Sequence, residues 1–384
     1  MNLAIRWFIG YGLHEPVPDH SSLTRIRQRW GAARFRRIFE RTVEACVAAG
    51  IAKGEVVHID SSLVRADVSW DAIARRHVEA VAAANGDEAS PDQAGAQDTA
   101  GGGGAPRASG PVRVVGISDP DATLATNHRA RRSEPAYKQH SAVDGHKGVV
   151  LDVVVTTGAV HDTMTVEAQL DAIPAVTGQA IQTATMDGAY AITRVFASLE
   201  RRGIEAVVPA KPERPPKTVI PVRRFKLDAR NRIVRCPRGR VLKPHGKPDR
   251  KGFQAYRARP RDCRACPLRA ACVSPGMERR AILLHKDHPA LLRARRKRLR
   301  WGERERALYA QHRGRVEGIH GEAKTWHGLA RAIRRGLANM QIQAYLTAAV
   351  INLKRLAAAV IALIRAVVRA HRRPDRHDRG LCWA

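Results

Sequence analysis

Acidic residues are scarce in this chain of 384 residues. It contains 36 aspartates and glutamates against 67 lysines and arginines, which gives a formal net charge of +31. An excess of positive charge this large is typical of proteins that bind polyanions. We therefore expect nucleic acid as the partner. The alternative is an ordinary basic surface without a polyanionic ligand.

A long uninterrupted apolar run is also missing. The most apolar stretch, residues 348–368, is broken by Lys354, Arg355 and Arg365. This pattern predicts an amphipathic or buried helix rather than a membrane span. The first residues lack the basic start and the small-residue cleavage site of a signal peptide. Both features favour a cytoplasmic protein without a membrane partner.

Cysteine is rare, and its six residues argue against structural disulfides in a cytoplasmic protein. Cys46 and Cys382 have no partner at ligand spacing, whereas Cys263 and Cys266 have the C-x2-C spacing with which two thiolates chelate one Zn²⁺. We expect a structural zinc site, and the alternative is a set of unliganded thiols. The proposed ligands are Cys236, Cys263, Cys266 and Cys272.

Hydrophobic periodicity and composition divide the chain into five parts. We expect a helical, arginine-rich region, compatible with a truncated N-terminus, then a mixed α/β region. A Cys-rich insertion held by metal rather than by an apolar core follows, then a helical region and a basic tail. A Gly/Ala/Pro-rich insert is expected to be disordered because it cannot bury enough apolar surface. In order, the parts are 1–52, 53–211 (insert 84–112), 212–285, 286–370 and 371–384.

Two apolar runs in the mixed region predict buried strands that end at aspartates. EVVHIDSSLV predicts a strand ending at Asp60, and QTATMDGAY predicts one ending at Asp187. Between them, YKQHSAVDGHKG and VVLDVVVTTG predict a hairpin across residues 145–148, which is followed by a helix. A further helix and strand come after Asp187. This order predicts an α/β fold with a mixed sheet.

Arg313, Glu317 and Lys324 lie in the segment HRGRVEGIHGEAKTWHG with spacings of four and seven. On an α-helix these positions share nearly the same side. The carboxylate can hold a divalent metal ion, and the two cations can hold phosphates. The alternative for the cations is ion pairing with Glu317 on the helix surface.

The three acids Asp60, Asp187 and Glu317 can converge if the helix packs over the strand ends, where mixed α/β folds place their chemistry. Oxygen ligands without histidine or cysteine suit Mg²⁺ or Mn²⁺. Two such ions can activate water or a 3′-hydroxyl and stabilise the leaving oxygen of a phosphodiester. The alternative is that all three are ordinary surface acids.

Four further residues compete with these acids or could assist them. Asp144 also ends a predicted strand and is the main rival catalytic aspartate, whereas Asp162 is interpreted as a helix cap. His58 shares a strand face with Asp60 and is a candidate for lining the site. His320 lies one turn beyond Glu317 and could line it too, although a solvated or core histidine is the commoner role.

These motifs resemble those of the DDE transposases of bacterial insertion sequences. The matching segments are VVHIDSSLVRAD around Asp60, TATMDGAY around Asp187, and the Arg-x3-Glu-x6-Lys signature. RWFIGYGLHEPVPDHSSLTRIRQRWG near the start and AVDGHKGVVLDVVVTTGAVHD in the middle resemble the same enzymes. The resemblance implies an RNase H-like mixed sheet with flanking helices, an N-terminal helical DNA-binding region and a zinc-ribbon-like Cys-rich insertion.

The resemblance also implies a function for each site residue. Asp60, Asp187 and Glu317 would be catalytic ligands of Mg²⁺ or Mn²⁺, and Arg313 and Lys324 would bind DNA phosphates. The protein would cleave and transfer strands at the ends of an insertion sequence, as a homodimer on element ends and target DNA, on the bacterial nucleoid in the cytoplasm. The alternatives are a truncated, inactive DNA-binding remnant or regulator derived from a transposase, and a host nuclease of the same fold.

Overall fold

The structure, a computed structural model, has a mixed α/β architecture, as predicted, with two sheets flanked by helices. The predicted disordered insert lies outside the described residues except for residue 112, and so does most of the basic tail, including Cys382. The structure describes residues 3–68, 73–77, 112–126, 133–212, 219–228, 230, 232–249 and 252–371.

The N-terminal region consists of helices α1 (Leu3–Phe8) and α2 (His20–Ala48). Asp19 caps α2, because its carboxylate accepts a hydrogen bond from the Ser22 backbone N–H at 2.8 Å. Gly31 has a φ of 63°, and the helix kinks there. Beyond the kink, apolar residues at helical spacing are buried against the rest of the protein. They are Phe35, Phe39, Val43 and Cys46.

The main sheet has eight strands in the order β2-β3-β4-β5-β1-β7-β8, and β6 also pairs with β5. β1 is antiparallel to β5 and parallel to β7, which is itself parallel to β8. The predicted hairpin is confirmed as β5 and β6. The strands are β1 (Val56–Arg65), β2 (Ile73–His77), β3 (Val112–Gly116), β4 (Asp119–Ala125), β5 (Glu134–Asp144), β6 (Val150–Thr157), β7 (Thr183–Met186) and β8 (Glu205–Val207).

The prediction that the first strand ends at Asp60 is wrong, because β1 continues to Arg65. The long strand β5 pairs with β1 over that whole length. On its other side β1 pairs with β7 only as far as Ile59, opposite Met186, and there β7 ends just before Asp187, as predicted. Asp60, Ser61 and Asp187 thus surround the position where β7 leaves β1, which we call the β1–β7 notch.

Two helices follow the sheet strands in the predicted places. α3 (Val166–Thr177) follows the hairpin and packs on β6, and α4 (Thr193–Arg201) lies between β7 and β8. Gly178, with a φ of 67°, closes α3 in the left-handed conformation that suits glycine after a helix. The sequence order strand–helix–strand thus produces the parallel side of the sheet.

The Cys-rich region folds as an antiparallel sheet in the order β13-β12-β11-β10-β9. Contrary to expectation it has an apolar core of its own, which includes Val234, Leu242, Ile282 and Leu284. Its strands are β9 (Lys226–Asp228), β10 (Ile233–Arg235), β11 (Val241–His245), β12 (Phe253–Arg257) and β13 (Ala281–His285). Its short helices are α5 (Pro260–Arg264) and α6 (Arg269–Cys272).

Three helices complete the chain: α7 (His288–Leu299), α8 (Glu303–Trp326) and α9 (Leu337–His371). α8 packs across β1, β5 and β7, and α9 packs on α2 and β6. Gln341 and Asn352 of α9 hydrogen-bond the outer backbone edge of β6. These bonds satisfy an edge that would otherwise be open to another strand.

The C-terminal half of α9 exposes apolar side chains, among them Leu363, which is 65% exposed. By length and composition alone, residues 337–369 would be long and apolar enough to cross a membrane. The first half of the helix is instead packed in the protein core, where Met340 and Ile351 are almost fully buried. Core helices of soluble proteins pass the same compositional test, so the expectation of no membrane partner stays a prediction.

Candidate active site

Asp60 lies in the β1–β7 notch on the sheet face that α8 covers. Its cross-strand partner is Ser141 of β5, and the Ser141 hydroxyl lies 3.2 Å from Nε2 of His320 on α8. Directly opposed residues of an antiparallel pair point to the same face, so the Asp60 carboxylate faces α8 as well. Asp60 is half-buried and forms no ion pair with any described residue.

The pKa of the Asp60 carboxyl is raised to about 7. Burial is the main cause, and the nearby carboxylates of Asp187, Asp162 and Glu317 add to it, while a hydrogen bond from the Ser61 backbone N–H opposes it. The acids predicted from separate segments are therefore within electrostatic range of one another. Asp162 and Glu317 have cationic partners, whereas Asp60 and Asp187 form no ion pair with a described residue.

Asp187 follows β7 directly, in a turn that fixes its carboxylate. One carboxylate oxygen accepts a hydrogen bond from the Ala189 backbone N–H at 2.7 Å. The next residue, Gly188, has no side chain, and a Cβ there would lie 3.3 Å from Cε of Lys211. The absence of a side chain thus lets Lys211 approach the notch. Lys211 is the last residue of the predicted strand IEAVVPAK, and the sequence gave no signal that it would lie beside Asp187.

Glu317 approaches from α8, which carries all three residues of the Arg-x3-Glu-x6-Lys signature. In this structure Nε of Arg313 donates to the Glu317 carboxylate at 3.0 Å, and both side chains are largely exposed. The predicted alternative, ion pairing on the helix surface, therefore describes Arg313 here. Lys324 is half-buried and forms no ion pair within the described part of the chain, and burial lowers the pKa of its ammonium group.

The donor chemistry of the notch suits a divalent cation, because carboxylate oxygens are the preferred ligands of Mg²⁺ and Mn²⁺. The buried charge of Asp60 would be stabilised by such an ion. The side chains are not arranged as a complete metal site in this structure, since no group of three or more acidic, histidine or cysteine side chains among the described residues is spaced to hold a metal. Glu317 would first have to leave Arg313.

The rival aspartate, Asp144, is not brought to the notch. It lies opposite Val57 at the start of β1 and is fully buried. One of its carboxylate oxygens accepts hydrogen bonds from two backbone N–H groups at 3.0 and 2.9 Å, and the other accepts two at 2.7 and 3.3 Å. Asp144 therefore organises two loops. The four donors belong to Lys53, Gly54, His146 and Lys147.

Asp162 was interpreted as a helix cap, and this interpretation is wrong. His161 caps the short 3-10 turn of Asp162–Met164, whereas the Asp162 carboxylate accepts from the Ser61 hydroxyl at 2.7 Å and from Nζ of Lys138 at 2.8 Å. Burial would raise the pKa of Asp162, but these two hydrogen bonds outweigh it and lower the pKa. Ser61 points away from Asp60 across the sheet, so Asp162 reaches the notch from the opposite face.

Three buried histidines form a layer between the sheet and α8. Nδ1 of His58 lies 2.5 Å from the Thr185 hydroxyl, which in turn lies 3.0 Å from Nδ1 of His312. Burial lowers the pKa of His58 to about 3, that of His312 to about 4 and that of His320 to about 3. All three are therefore neutral at pH 7. His320 is a core histidine, and His58 is fully buried beneath α8, on the same strand face as Asp60.

Tyr190 is a buried neighbour of the notch to which the sequence gave no role. Burial raises the pKa of its hydroxyl, with further contributions from Asp60, Asp162 and Asp187. The hydroxyl has no hydrogen-bond partner of good geometry among the described residues. Tyr190 ends the segment MDGAY, and its position three residues after Asp187 is the one feature of the sequence that could have indicated a place near the site.

The cysteines predicted to bind zinc are brought together in the second sheet. All four line one cavity of about 30 Å³, and none is in a disulfide. Burial raises the pKa of Cys272, and the three other thiols add to this effect while Arg280 opposes it. Four thiols around one cavity have the donor chemistry of a tetrahedral Zn²⁺ site, although their spacing in this structure does not hold the ion. Cys46 is buried elsewhere, and burial raises its pKa to about 11, as expected of a plain thiol.

Comparison with protein-family models supports the resemblance. Residues 235–357 match the model described as a transposase DDE domain, and residues 1–29 match a transposase domain of the type DUF772. Both matches support the assignment of this chain to the DDE transposases of insertion-sequence type. No curated protein and no solved structure matches it.

The matched regions of this transposase contain part of the candidate site. The DDE match includes α8 with Arg313, Glu317 and Lys324, and it also includes the four clustered cysteines. Asp60 and Asp187 lie outside both matches, so their assignment depends on their place in the sheet. The family acts on DNA, which agrees with the net charge of +31.

Proposed function

We propose that this transposase cleaves DNA and transfers strands at the ends of an insertion sequence, with Asp60, Asp187 and Glu317 as the metal ligands. One observation carries the proposal. Asp60 is a half-buried carboxylate without an ion-pair partner among the described residues, and three other carboxylates oppose its ionisation. Such a position is costly unless a cation occupies it when the site works.

The sheet supports an RNase H-like catalytic core. Its central part runs in the order β6-β5-β1-β7-β8, with antiparallel pairing among the first three strands and parallel pairing among the last three. Asp60 lies on the strand shared by both halves, and Asp187 follows the neighbouring parallel strand. This is the position in a mixed sheet where two strand-borne acids can meet a third acid from a covering helix.

Mg²⁺ or Mn²⁺, when bound, supplies a Lewis acid that activates the attacking hydroxyl and stabilises the leaving oxygen. The protein's part is to hold the ligands. Asp60 must lose the proton that its raised pKa favours, and Asp187 is already oriented by the Ala189 backbone N–H. Glu317 must exchange Arg313 for the site, and this exchange frees the Arg313 guanidinium for a DNA phosphate.

Phosphate binding at the notch would involve Arg313 and Lys324, as the signature predicts, together with Lys211. The support is that Lys324 and Lys211 have no ion pair with a described residue, while Lys211 lies against Gly188 beside Asp187. Element ends and target DNA are the expected ligands. A homodimer on DNA and a location on the nucleoid remain predictions from the family.

The second sheet would be stabilised by a structural zinc ion bound to Cys236, Cys263, Cys266 and Cys272. The support is their convergence on one cavity. Elemental analysis of the purified protein should give one zinc per chain, and Cys263→Ser with Cys266→Ser should abolish it. A folded wild-type protein without zinc would contradict this assignment.

Cleavage of supercoiled DNA that carries the element's ends tests the catalytic proposal. We expect Mg²⁺-dependent nicking and strand transfer by the wild type and at least a 100-fold loss in Glu317→Gln. Glu303→Gln, an exposed acid on the same helix, is the matched control and should keep activity. If Glu317→Gln cleaves like the wild type, the catalytic assignment is wrong.

The same assay separates the alternatives. A wild type that binds DNA but does not cut it would be the inactive remnant or regulator, an outcome favoured by the ion pair that holds Glu317 on Arg313. Cleavage without strand transfer would indicate a nuclease of the same fold.

A further inference from the structure

A pocket of about 220 Å³ lies apart from the notch, between the first half of α2, the segment that joins α8 to α9, and the first half of α9. Ile333, Leu346 and Val350 give it an apolar wall, and Asn339 lines it as well. His327 at the end of α8 also lines it. His327 is ten residues beyond Glu317, so the pocket is about 15 Å along the helix axis from that acid.

Two guanidinium groups, those of Arg27 and Arg334, line this pocket. Both are half-buried, neither forms an ion pair with a described residue, and no described aspartate or glutamate lines the pocket. Arg334 is anchored by a hydrogen bond from Nη2 to the Thr24 hydroxyl. Burial lowers the pKa of Arg27, and the charge of Arg334 lowers it further.

Two neighbouring arginines of the same loop, Arg331 and Arg335, are held by Asp67 instead of by the pocket. Arg331 forms an ion pair with Asp67 at 2.6 Å, and Arg335 donates to the Asp67 backbone oxygen at 3.4 Å. Within the loop, Arg334 is therefore the arginine whose guanidinium lines the pocket, beside Arg27. Two like charges held together in a half-buried pocket are unfavourable alone, and a bound anion would make them favourable.

We propose that Arg27 and Arg334 together hold one backbone phosphate of bound DNA, with the attached nucleoside on the apolar wall. The planar guanidinium presents a fork of donors that matches phosphate oxygens. The site joins the two regions that match transposase models, since Arg27 lies in residues 1–29 and Arg334 in residues 235–357. This inference rests on DNA binding by the proposed transposase, but not on its catalytic activity.

The salt dependence of duplex DNA binding tests the inference. Each phosphate contact contributes about 0.9 to the slope of log K against log salt concentration. We expect Arg27→Gln and Arg334→Gln each to reduce the magnitude of this negative slope by about 1. The double variant should also reduce it by no more than about 1, because both arginines hold one phosphate. Circular dichroism and thermal melting of each variant show whether it is folded.

The control pair is Arg27→Gln with Arg29→Gln, an exposed arginine on the same helix. If Arg29 contributes to binding, its effect should add to that of Arg27, whereas Arg27 and Arg334 should be non-additive. Additive effects of Arg27 and Arg334, or slopes equal to the wild type's, would overturn the inference while leaving DNA binding intact. A wild type that does not bind DNA would overturn this inference and the proposed function together.

Arginine modification by phenylglyoxal, read by mass spectrometry, distinguishes the source of the phosphate. Saturating duplex DNA should protect Arg27 and Arg334, and inorganic phosphate at the same phosphate concentration should protect them much less. Protection by inorganic phosphate but not by DNA would show a site for free phosphate and contradict the DNA contact.

Discussion

Two aspartates on neighbouring central strands, Asp144 fully buried and Asp60 half-buried, differ in how the protein stabilises their charge. Asp144, at the start of the β1–β5 ladder, gives both carboxylate oxygens to four backbone N–H groups. Asp60, further along the same ladder, forms no ion pair with a described residue, and burial with three neighbouring acids raises its pKa to about 7. In the sequence both lie at the end of an apolar strand segment, and Asp60 is preferred to its rival Asp144 because it matches the family motif more closely.

The difference teaches how a structural aspartate can be told from a candidate ligand. A carboxylate that accepts several backbone hydrogen bonds is stabilised by the fold itself. One that is buried beside other acids lowers the stability of the fold and needs an external cation. The Asp60 position is therefore the better candidate for chemistry, and Asp144 the better candidate for stability.

The largest expected effect is at Asp144. Asp144→Asn should lower the free energy of unfolding by about 3 kcal/mol, because an amide nitrogen would face backbone N–H donors that the carboxylate now satisfies. Urea denaturation followed by circular dichroism measures this. Glu44→Gln, an exposed acid on α2, should change stability by less than about 0.5 kcal/mol. An Asp144→Asn variant as stable as the wild type would remove the structural half of the comparison.

Asp60→Asn should change the free energy of unfolding in the opposite direction and stabilise the protein. Because the folded pKa of Asp60 is raised, its contribution to stability is fully present below the unfolded pKa near 4 and is lost as the pH rises through about 7. In EDTA at pH 8, Asp60→Asn should thus be more stable than the wild type, by roughly 1 to 2 kcal/mol after allowance for solvent screening.

At pH 4 that difference should disappear, because the wild-type carboxyl is then protonated in the folded state. Thermal melts at both pH values measure it. Destabilisation by Asp60→Asn at pH 8 without metal would mean that the protein itself compensates the charge.

The buried histidines beneath α8 test the same idea for a group that becomes positively charged instead of negatively charged. His320 has a pKa lowered to about 3, so its contribution to stability is present above about pH 6.5 and is lost as the pH falls toward 3. Between pH 6 and 4, His320→Gln should reduce the slope of stability against pH by about 1.4 kcal/mol per pH unit. His14→Gln, at an exposed position, should leave the slope unchanged. An unaltered slope in His320→Gln would mean that the site is hydrated.

The smallest expected effect is at the exposed ion pair. Arg313→Gln should change the free energy of unfolding by less than about 0.5 kcal/mol, because an exposed pair four residues apart on a helix contributes little. Chemical denaturation tests this. A loss above about 1 kcal/mol would show that Arg313 has a structural role instead of being available to DNA.

Much of the sheet could be predicted from sequence, because apolar runs and turn residues are local signals. The β5–β6 hairpin, β7 and the helices around it follow from such signals. The continuation of β1 past Asp60 could not be predicted, since it depends on the length of β5 as a neighbour. The neighbours of the site could not be predicted for the same reason, because tertiary packing brings Asp162, Lys211 and Tyr190 to the notch.

The signature on α8 was readable because helical spacing places Arg313 and Glu317 together. Whether Glu317 turns to Arg313 or to Asp60 is a matter of side-chain competition, which spacing does not decide. The proximity of Arg27 and Arg334 shows most clearly what sequence spacing cannot predict. The two residues are far apart in the chain, and the packing of α2 against the loop before α9 brings them together.

The most direct measurement of the central claim is Mn²⁺ binding by electron paramagnetic resonance, with the wild type and single variants under EDTA-treated conditions. The account predicts at least 10-fold weaker binding in Asp60→Asn, Asp187→Asn and Glu317→Gln, and unchanged binding in Glu44→Gln. Wild-type affinity in Asp60→Asn and Asp187→Asn would contradict the claim that the β1–β7 notch is the metal site.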